Sequence, residues 1–177
     1  MNKVSEFDIH AYQIIRESVS SFLKAEADKL DSASIVLLDI APQDHLGAAE
    51  HFTKAQIKTA DLNPDAKATY TIDITKDNSE IIPNDSFDVV VCTEVLEHTL
   101  NPFSAIVEIY RILKKDGVLL LTTPFNFRIH GPLPDCWRFT EHGINVLLKD
   151  FKSIKINAIE DKTRFLMPYH YTTIAMK

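Results

Sequence analysis

Apolar residues recur along this chain in two rhythms, one helical and one of strand-length runs, and they alternate. Ile9, Tyr12, Ile15, Val19, Phe22 and Leu30 fall at helical spacing, which predicts an amphipathic helix over roughly 8–30 that covers one face of a sheet. Ile35-Val36-Leu37-Leu38-Asp39-Ile40 then reads as a buried strand, with Pro42 and Gly47 marking the turn after it and a short helix expected near 46–52. A second strand is predicted from Gln56 to Ala60, ending at Asp61 before the turn residues Asn63-Pro64-Asp65, and a third from Thr69 to Ile72, ending at Asp73. Pro83-Asn84-Asp85-Ser86 turns the chain into a fourth strand, Phe87 to Cys92. An amphipathic helix from Pro102 to Leu113 and a fifth strand from Val118 to Thr122 follow.

The stretch 124–135 breaks the pattern, a long loop with three prolines and one glycine. Thr140 then caps a helix that runs to about Leu148, with Glu141 in its first turn. Phe151 to Ile159 and Tyr171 to Met176 read as two further strands, joined closely enough through 163–168 to predict an antiparallel closing hairpin. Strand, crossover helix, strand is the unit of a parallel sheet, so the chain is expected to be α/β with helices on both faces. In such sheets ligands bind beyond the carboxyl ends of the strands. Asp39, Asp61, Asp73 and the segment Cys92-Thr93-Glu94-Val95-Leu96-Glu97-His98 all fall at strand ends, and the site is sought there.

These same residues carry a family resemblance. Phe87-Asp88-Val89-Val90, Glu94-Val95-Leu96-Glu97-His98, Asn101-Pro102 and Arg111-Ile112-Leu113-Lys114-Lys115-Asp116-Gly117 resemble, in order and spacing, a class I S-adenosylmethionine (SAM)-dependent methyltransferase of the methyltransferase-11/23 type. The likeness runs from about Val36 to the C-terminus. It implies a Rossmann-like methyltransferase fold: a seven-stranded, mostly parallel sheet with an antiparallel closing hairpin, in a single domain over 1–177. It also implies SAM as cofactor and S-adenosylhomocysteine as product. Asp61 would accept from the ribose diol while Leu62 packs on the adenine. Asp73 would accept from the adenine amino group, with Ile74 on the ring. Thr93 and Glu94 would face the methionine portion. Asp61 and Asp73 also read as simple turn residues, and His98 as a histidine that merely starts a helix.

The chain departs from the family in one place. After Asp39 the family has a glycine-rich loop, whereas here Asp39-Ile40-Ala41-Pro42-Gln43-Asp44-His45-Leu46-Gly47 follows, with Ala41 at the first glycine position. Two readings stand. In one, the small Ala41 and the rigid Pro42 still admit the cofactor, and Asp39 and Ala41 belong to its site. In the other, the chain is a non-catalytic scaffolding subunit on the same fold. A dinucleotide dehydrogenase is disfavoured, because no G-x-G-x-x-G stands between the first strand and its helix.

The loop 124–140 is the substrate-side candidate, since long loops in compact domains are often functional. It holds Arg128, His130, Asp135, Trp137 and Arg138, and it is similar to a block of methyltransferases often linked to sugar and cell-surface glycan biosynthesis. Transfer to a hydroxyl or amine needs the nucleophile aligned and one proton removed. His130 is the candidate base, with Asp135 as its orienter or as the base itself. Arg128, Trp137 and Arg138 would suit a sugar, phosphate or carboxylate acceptor, or else Trp137 and Arg138 anchor the loop, Arg138 pairing with Asp135 or Glu94. Phe125, Phe127 and Ile129 read as a lid, a substrate wall or a homodimer contact.

Composition narrows this further. At 177 residues with a formal charge of −6, the chain is expected to be a globular domain that binds a small-molecule or glycan-linked acceptor rather than nucleic acid. Cys92 and Cys136 form no metal or redox spacing, and the N-terminal residues hold no apolar signal core, so a reduced cytoplasmic setting without a membrane span is expected. His10, His45, His51, His142 and His170 are scattered, and no metal is expected.

Overall fold

The computed structural model describes residues 4–42 and 46–177. The elements are helix α1 (Glu6–Leu30), strands β1 (Val36–Ile40), β2 (Gln56–Asp61), β3 (Tyr70–Thr71) and β4 (Phe87–Thr93), helix α2 (Pro102–Ile112), strand β5 (Leu113–Pro124), helix α3 (Glu141–Leu147), and strands β6 (Ser153–Ile159) and β7 (His170–Met176). The seven strands form one sheet in the order β3-β2-β1-β4-β5-β7-β6. β3, β2, β1, β4 and β5 run parallel, and β7 lies antiparallel between β5 and β6 as the closing hairpin.

Successive residues of a strand face opposite sides, so the central strands split their apolar side chains between two cores. Leu37, Val89, Val91 and Leu120 meet the face of α1 formed by Ala11, Ile15, Val19, Leu23 and Ala27. Their neighbours Leu38, Val90, Cys92, Leu119 and Leu121 meet α2 through Ala105, Ile106 and Ile109, and α3 through Ile144 and Leu147. Helix starts follow the residues expected of them. Ser5, Asn101 and Thr140 each accept a backbone N–H three residues on, and Pro102 occupies the first turn of α2, where its missing N–H costs nothing.

Three elements differ from the pattern reading. The short helix expected near 46–52 is one 3₁₀ turn, Gly47–Glu50. The third strand shrinks to Tyr70–Thr71 because Thr69 and Thr59 bond through each other's hydroxyl (3.2 and 3.0 Å) instead of a backbone ladder, and Asp73 turns its carboxylate onto Thr75. β5 begins at Leu113 rather than Val118: Leu113 pairs with Phe87, the register jumps, and Val118 pairs with Val89. Gly117 permits that irregularity, since a Cβ there would approach the Lys114 carbonyl oxygen to 2.8 Å. No helix among the described residues is long and apolar enough to cross a membrane.

One polar network positions the segment that leads into β4. Arg111, near the end of α2, donates from Nε and Nη2 to Glu108 (2.8 and 2.7 Å) and from Nη1 to the Ile82 carbonyl and Asn84 Oδ1 (2.9 and 2.8 Å). Glu108, 5% exposed, also accepts from the backbone and side-chain N–H groups of Asn78 at 3.0 and 3.1 Å, and Asn78 reaches the Asp73 carbonyl. Burial raises the Glu108 pKa, and the bonds from Arg111 and Asn78 outweigh it to leave the carboxyl below the ordinary glutamate range. Arg111→Ala is expected to cost about 2–4 kcal/mol, because it strands a buried carboxylate. A group whose folded pKa is depressed stabilises above its unfolded pKa and loses that contribution as pH falls through the folded value. Denaturant unfolding should therefore show the deficit of the variant at neutral pH and a shrinking deficit as pH drops below the glutamate range.

Candidate active site

β1 and β4 are neighbours, yet the chain leaves β1 toward β2 and β4 toward β5, on opposite sides. That reversal opens a crevice at their carboxyl ends. The first residue past each strand is left-handed without being glycine: Ala41 at φ 51° and Glu94 at φ 54°. Each such residue costs on the order of 1–2 kcal/mol, and strain of this kind collects where a site holds the backbone open.

Asp39 lies behind the crevice rather than in it. Only 2% exposed, it accepts the Ala48 N–H at 2.7 Å, and burial pushes its carboxyl up to about 6 against that bond. The contact draws the loop after β1 back onto the strand end. Gly47, at φ 55°, allows the approach, since a Cβ there would run into Asp39 Oδ2. Gly47 thus meets a close-approach requirement in a loop whose first glycine position is filled by Ala41. Residues 43–45, including His45 from the expected histidine scatter, lie outside the described residues.

Two cavities meet at this edge. The larger, about 1070 Å³, is walled by Ala41, Asp61, Leu62, Asp73, Ile74 and Glu94, so six of the proposed cofactor residues share one chamber. Asp61 and Asp73 each spend one oxygen on a local turn, accepting from Asn63 N–H (2.8 Å) and Thr75 N–H (2.9 Å), and still face the chamber. The smaller cavity, about 390 Å³, lies between α1 and the 124–140 loop and takes in Thr93 and His130. Ala41, Glu94, His98 and Pro132 border both.

The loop is built around one ion pair. Arg138 grips Asp135 with both terminal nitrogens and also donates to the backbone carbonyls of Phe127, Arg128 and Trp137. Burial raises the Asp135 pKa, but Arg138 and the His130 N–H override it and bring the carboxyl down to about 2. Asp135 is therefore ionised and locked at neutral pH, which suits an orienter and not a base. Trp137 donates from Nε1 to the Thr99 carbonyl at 2.8 Å, and the Cys136 and Trp137 N–H groups donate to the Glu97 carbonyl. Arg128, Asp135, Trp137 and Arg138 border neither of these cavities; Arg138, Asp135 and Trp137 tie the loop together, and Arg128 takes part through its carbonyl. Phe125 and Phe127 turn inward, near Tyr171 and Tyr12 (centroids 6.0 and 6.4 Å), while Ile129 is 74% exposed.

The docked loop brings two histidines together. His130 stands edge-on to His98, ring centroids 4.8 Å apart, and both rings turn Nε2 toward Glu97 Oε1 at 3.7 Å. Glu97 is fully buried, and neither of its oxygens has a hydrogen-bond partner among the described residues. Burial, then the nearby Glu94 charge, push its pKa well above the ordinary range. Burial lowers the His130 pKa further than the Asp135 carboxylate raises it. A second buried contact, Glu94 Oε1 to His170 Nδ1 at 3.5 Å, lies at the same edge. Glu97, His98 and His130, none of them among the five scattered histidines, bring potential metal-ligating atoms within 4.8 Å of one another. His98 and His130 lie 32 positions apart in the sequence and meet through the folded loop. His170 likewise carries no local signal, sitting fully buried at the start of β7, between β5 and β6.

The fold has known counterparts. The family model described as a methyltransferase domain matches residues 10–155. The chain belongs to this family, and with it to the class I SAM-dependent methyltransferases. It is 28% identical over 99 residues, 56% of this chain and 38% of the relative, to a ubiquinone biosynthesis O-methyltransferase of Photobacterium profundum. It is 44% identical over 43 residues, 24% of this chain and 18% of the relative, to a protein of the same name from Glaesserella parasuis. The chain thus spans well under half the length of these curated relatives. Among solved structures it resembles the CurJ carbon methyltransferase (TM-score 0.70, 15% identity, 92% of this chain and 55% of that one). It also resembles a possible histamine N-methyltransferase from Thermotoga maritima (TM-score 0.65, 15% identity, 95% and 93%). At these identities the structural likeness speaks for the fold alone.

Two outcomes follow from the geometry. Arg138→Ala should release the loop, so hydrogen exchange over 127–138 is expected to lose protection while the central strands keep theirs. Gly47→Ala should cost about 1–3 kcal/mol in chemical denaturation by pushing Asp39 off the Ala48 N–H.

Proposed function

We propose that this chain is a SAM-dependent O-methyltransferase for a small hydroxylated acceptor, glycan-linked ones included. The observation that carries the reading is the pair of cavities meeting at Glu94 and His98, one lined by the carboxylates that end β2 and the third strand region, the other closed by the proline-rich loop. Methyl transfer needs this arrangement: a large chamber for a nucleoside-bearing cofactor and a smaller one from which the acceptor oxygen reaches the methyl carbon in line with the departing sulfur. The ubiquinone-biosynthesis relatives are O-methyltransferases by name, which supports a hydroxyl as the acceptor group.

On this reading Asp61 takes the ribose diol, with Leu62 against the adenine. Asp73 accepts from the adenine amino group and Ile74 packs on the ring, while Ala41, Thr93 and Glu94 border the methionine end. Asp39 acts from behind by fixing the loop that carries Ala41. Asp135, held by Arg138, sets the orientation of His130, whose ring faces the acceptor cavity. Arg128 and Trp137 hold or flank the loop that closes that cavity.

Isothermal titration with SAM and with S-adenosylhomocysteine tests the reading, with micromolar binding of both expected. Asp61→Ala should weaken both about 10- to 100-fold, the loss of charge-assisted bonds of about 1.5–3 kcal/mol. Unchanged affinity in the variant would remove the pocket assignment. Absence of binding by the unaltered protein would return the non-catalytic scaffold to the front.

A further inference from the structure

We infer, resting on the function proposed above, that Glu94, positioned by the buried His170, is the group that tells SAM from S-adenosylhomocysteine and so favours release of the product. Methyl transfer can take place only where the cofactor chamber meets the acceptor cavity, so the sulfonium centre of SAM belongs at that junction. Ala41, Glu94, His98 and Pro132 border both cavities. Of these four only Glu94 can carry negative charge.

The sheet fixes both members of this pair. Glu94 follows the last residue of β4, and its N–H donates to the Thr122 carbonyl of β5 at 3.1 Å. Its backbone is left-handed at φ 54°, and strain of this kind in a residue other than glycine is kept where a side chain has to be aimed. His170 opens β7, where it pairs with Pro124 of β5 on one side and Ile159 of β6 on the other, and it is fully buried. With a strand on each side, its backbone cannot draw away from Glu94.

His170 Nδ1 stands 3.5 Å from Glu94 Oε1, longer than a formed hydrogen bond. Glu94 Oε1 and both His170 nitrogens are buried without a hydrogen-bond partner among the described residues. Unspent polar atoms in a core cost energy, and packing alone would be served better by an apolar side chain at position 170. A carboxylate accepts and does not donate, so the imidazole proton belongs on Nδ1. Bonds of this type tighten when a ligand seats, and closing this gap holds Oε1 and leaves Oε2 to the junction. His170 is thus a positioning residue that acts through Glu94.

SAM carries a positive sulfur and its product does not. In the transfer the acceptor oxygen bonds the methyl carbon and loses its proton to water. The carbon–sulfur bond breaks, and its electron pair stays on sulfur as a neutral thioether. A carboxylate at the junction attracts the cofactor before this step and has no charge to hold at sulfur after it. Both ligands keep the adenosine and the amino-acid end, so contacts to Asp61 and Asp73 are common to them. The difference in affinity falls to the group beside the sulfur.

The test is calorimetric titration of SAM and of S-adenosylhomocysteine into the unaltered protein and three variants, read as the ratio of the two affinities. Glu94→Gln keeps the shape of the side chain and removes its charge, and should lower the ratio of SAM to S-adenosylhomocysteine affinity about 10-fold. His170→Asn keeps an N–H donor where Nδ1 stands, whereas His170→Gln moves it to the Nε2 position. The first should hold the ratio within about twofold and the second should lower it at least about threefold. Melting temperatures of both report the structural share, and similar temperatures with unequal ratios mark positioning rather than packing. A ratio unmoved in Glu94→Gln would overturn the inference and leave the proposed function standing. So would an equal loss for both ligands, which would put Glu94 on the ammonium group they share. A ratio that falls in Glu94→Gln and holds in His170→Gln would overturn the role of His170. Binding of neither ligand by the unaltered protein would remove the proposed function, and this inference with it.

Discussion

The reversal of strand order between β1 and β4 is the constraint on which the rest of this molecule depends. Both strands are buried on both faces, so their backbones are held rigidly by the sheet and by two separate cores. The connections they feed must part, and where they part no backbone closes the gap. Ala41 and Glu94 take left-handed conformations at that point, and the stored strain is tolerated because the strands behind them are fixed. Every group in the candidate site hangs from this edge or from a loop that docks on it.

That docking is the second level of organisation. The 124–140 loop lacks regular structure over most of its length, and its backbone groups need partners from elsewhere. Arg138 supplies several of them at once, satisfying three carbonyls while it holds Asp135, and Glu97 and Thr99 supply carbonyls in return. One guanidinium with five donors in a planar fork can do this, whereas a lysine cannot. The loop then acts as a rigid wall whose inner side delivers His130 to His98. Residues that read as substrate contacts in the sequence, Arg138 above all, thus spend their hydrogen-bonding capacity on the loop.

Comparison with relatives sharpens what the site must explain. The fold is shared with proteins whose names specify carbon, nitrogen and oxygen as the methylated atom. The fold therefore does not by itself name the acceptor, which depends on side chains grafted onto it. At the junction of the two cavities a fully buried carboxylate has two imidazole Nε2 atoms 3.7 Å from one of its oxygens.

The elements were legible from the chain alone because their causes are local. Continuous apolar runs such as Val89-Val90-Val91 and Thr140 as a cap act within a few residues, and so does the helical spacing of Ile15 and Val19, although the buried face of α1 is Ala11, Ile15, Val19, Leu23 and Ala27, with Ile9 and Tyr12 half exposed. That Asp61 and Asp73 border the crevice was legible too, since each lies at or within two residues of a strand end. The short third strand and the early start of β5 were not, because they turn on whether a neighbouring strand offers a ladder. Nor was the role of Asp39, whose partner Ala48 lies across a loop. The Glu97–His98–His130 group is the extreme case. Its histidines belong to a turn after β4 and a loop after β5, and their meeting depends on Arg138, Asp135 and Trp137 fixing that loop in place. Composition and spacing determined which layers form, and tertiary contacts over long sequence distances decided which polar groups face one another inside them.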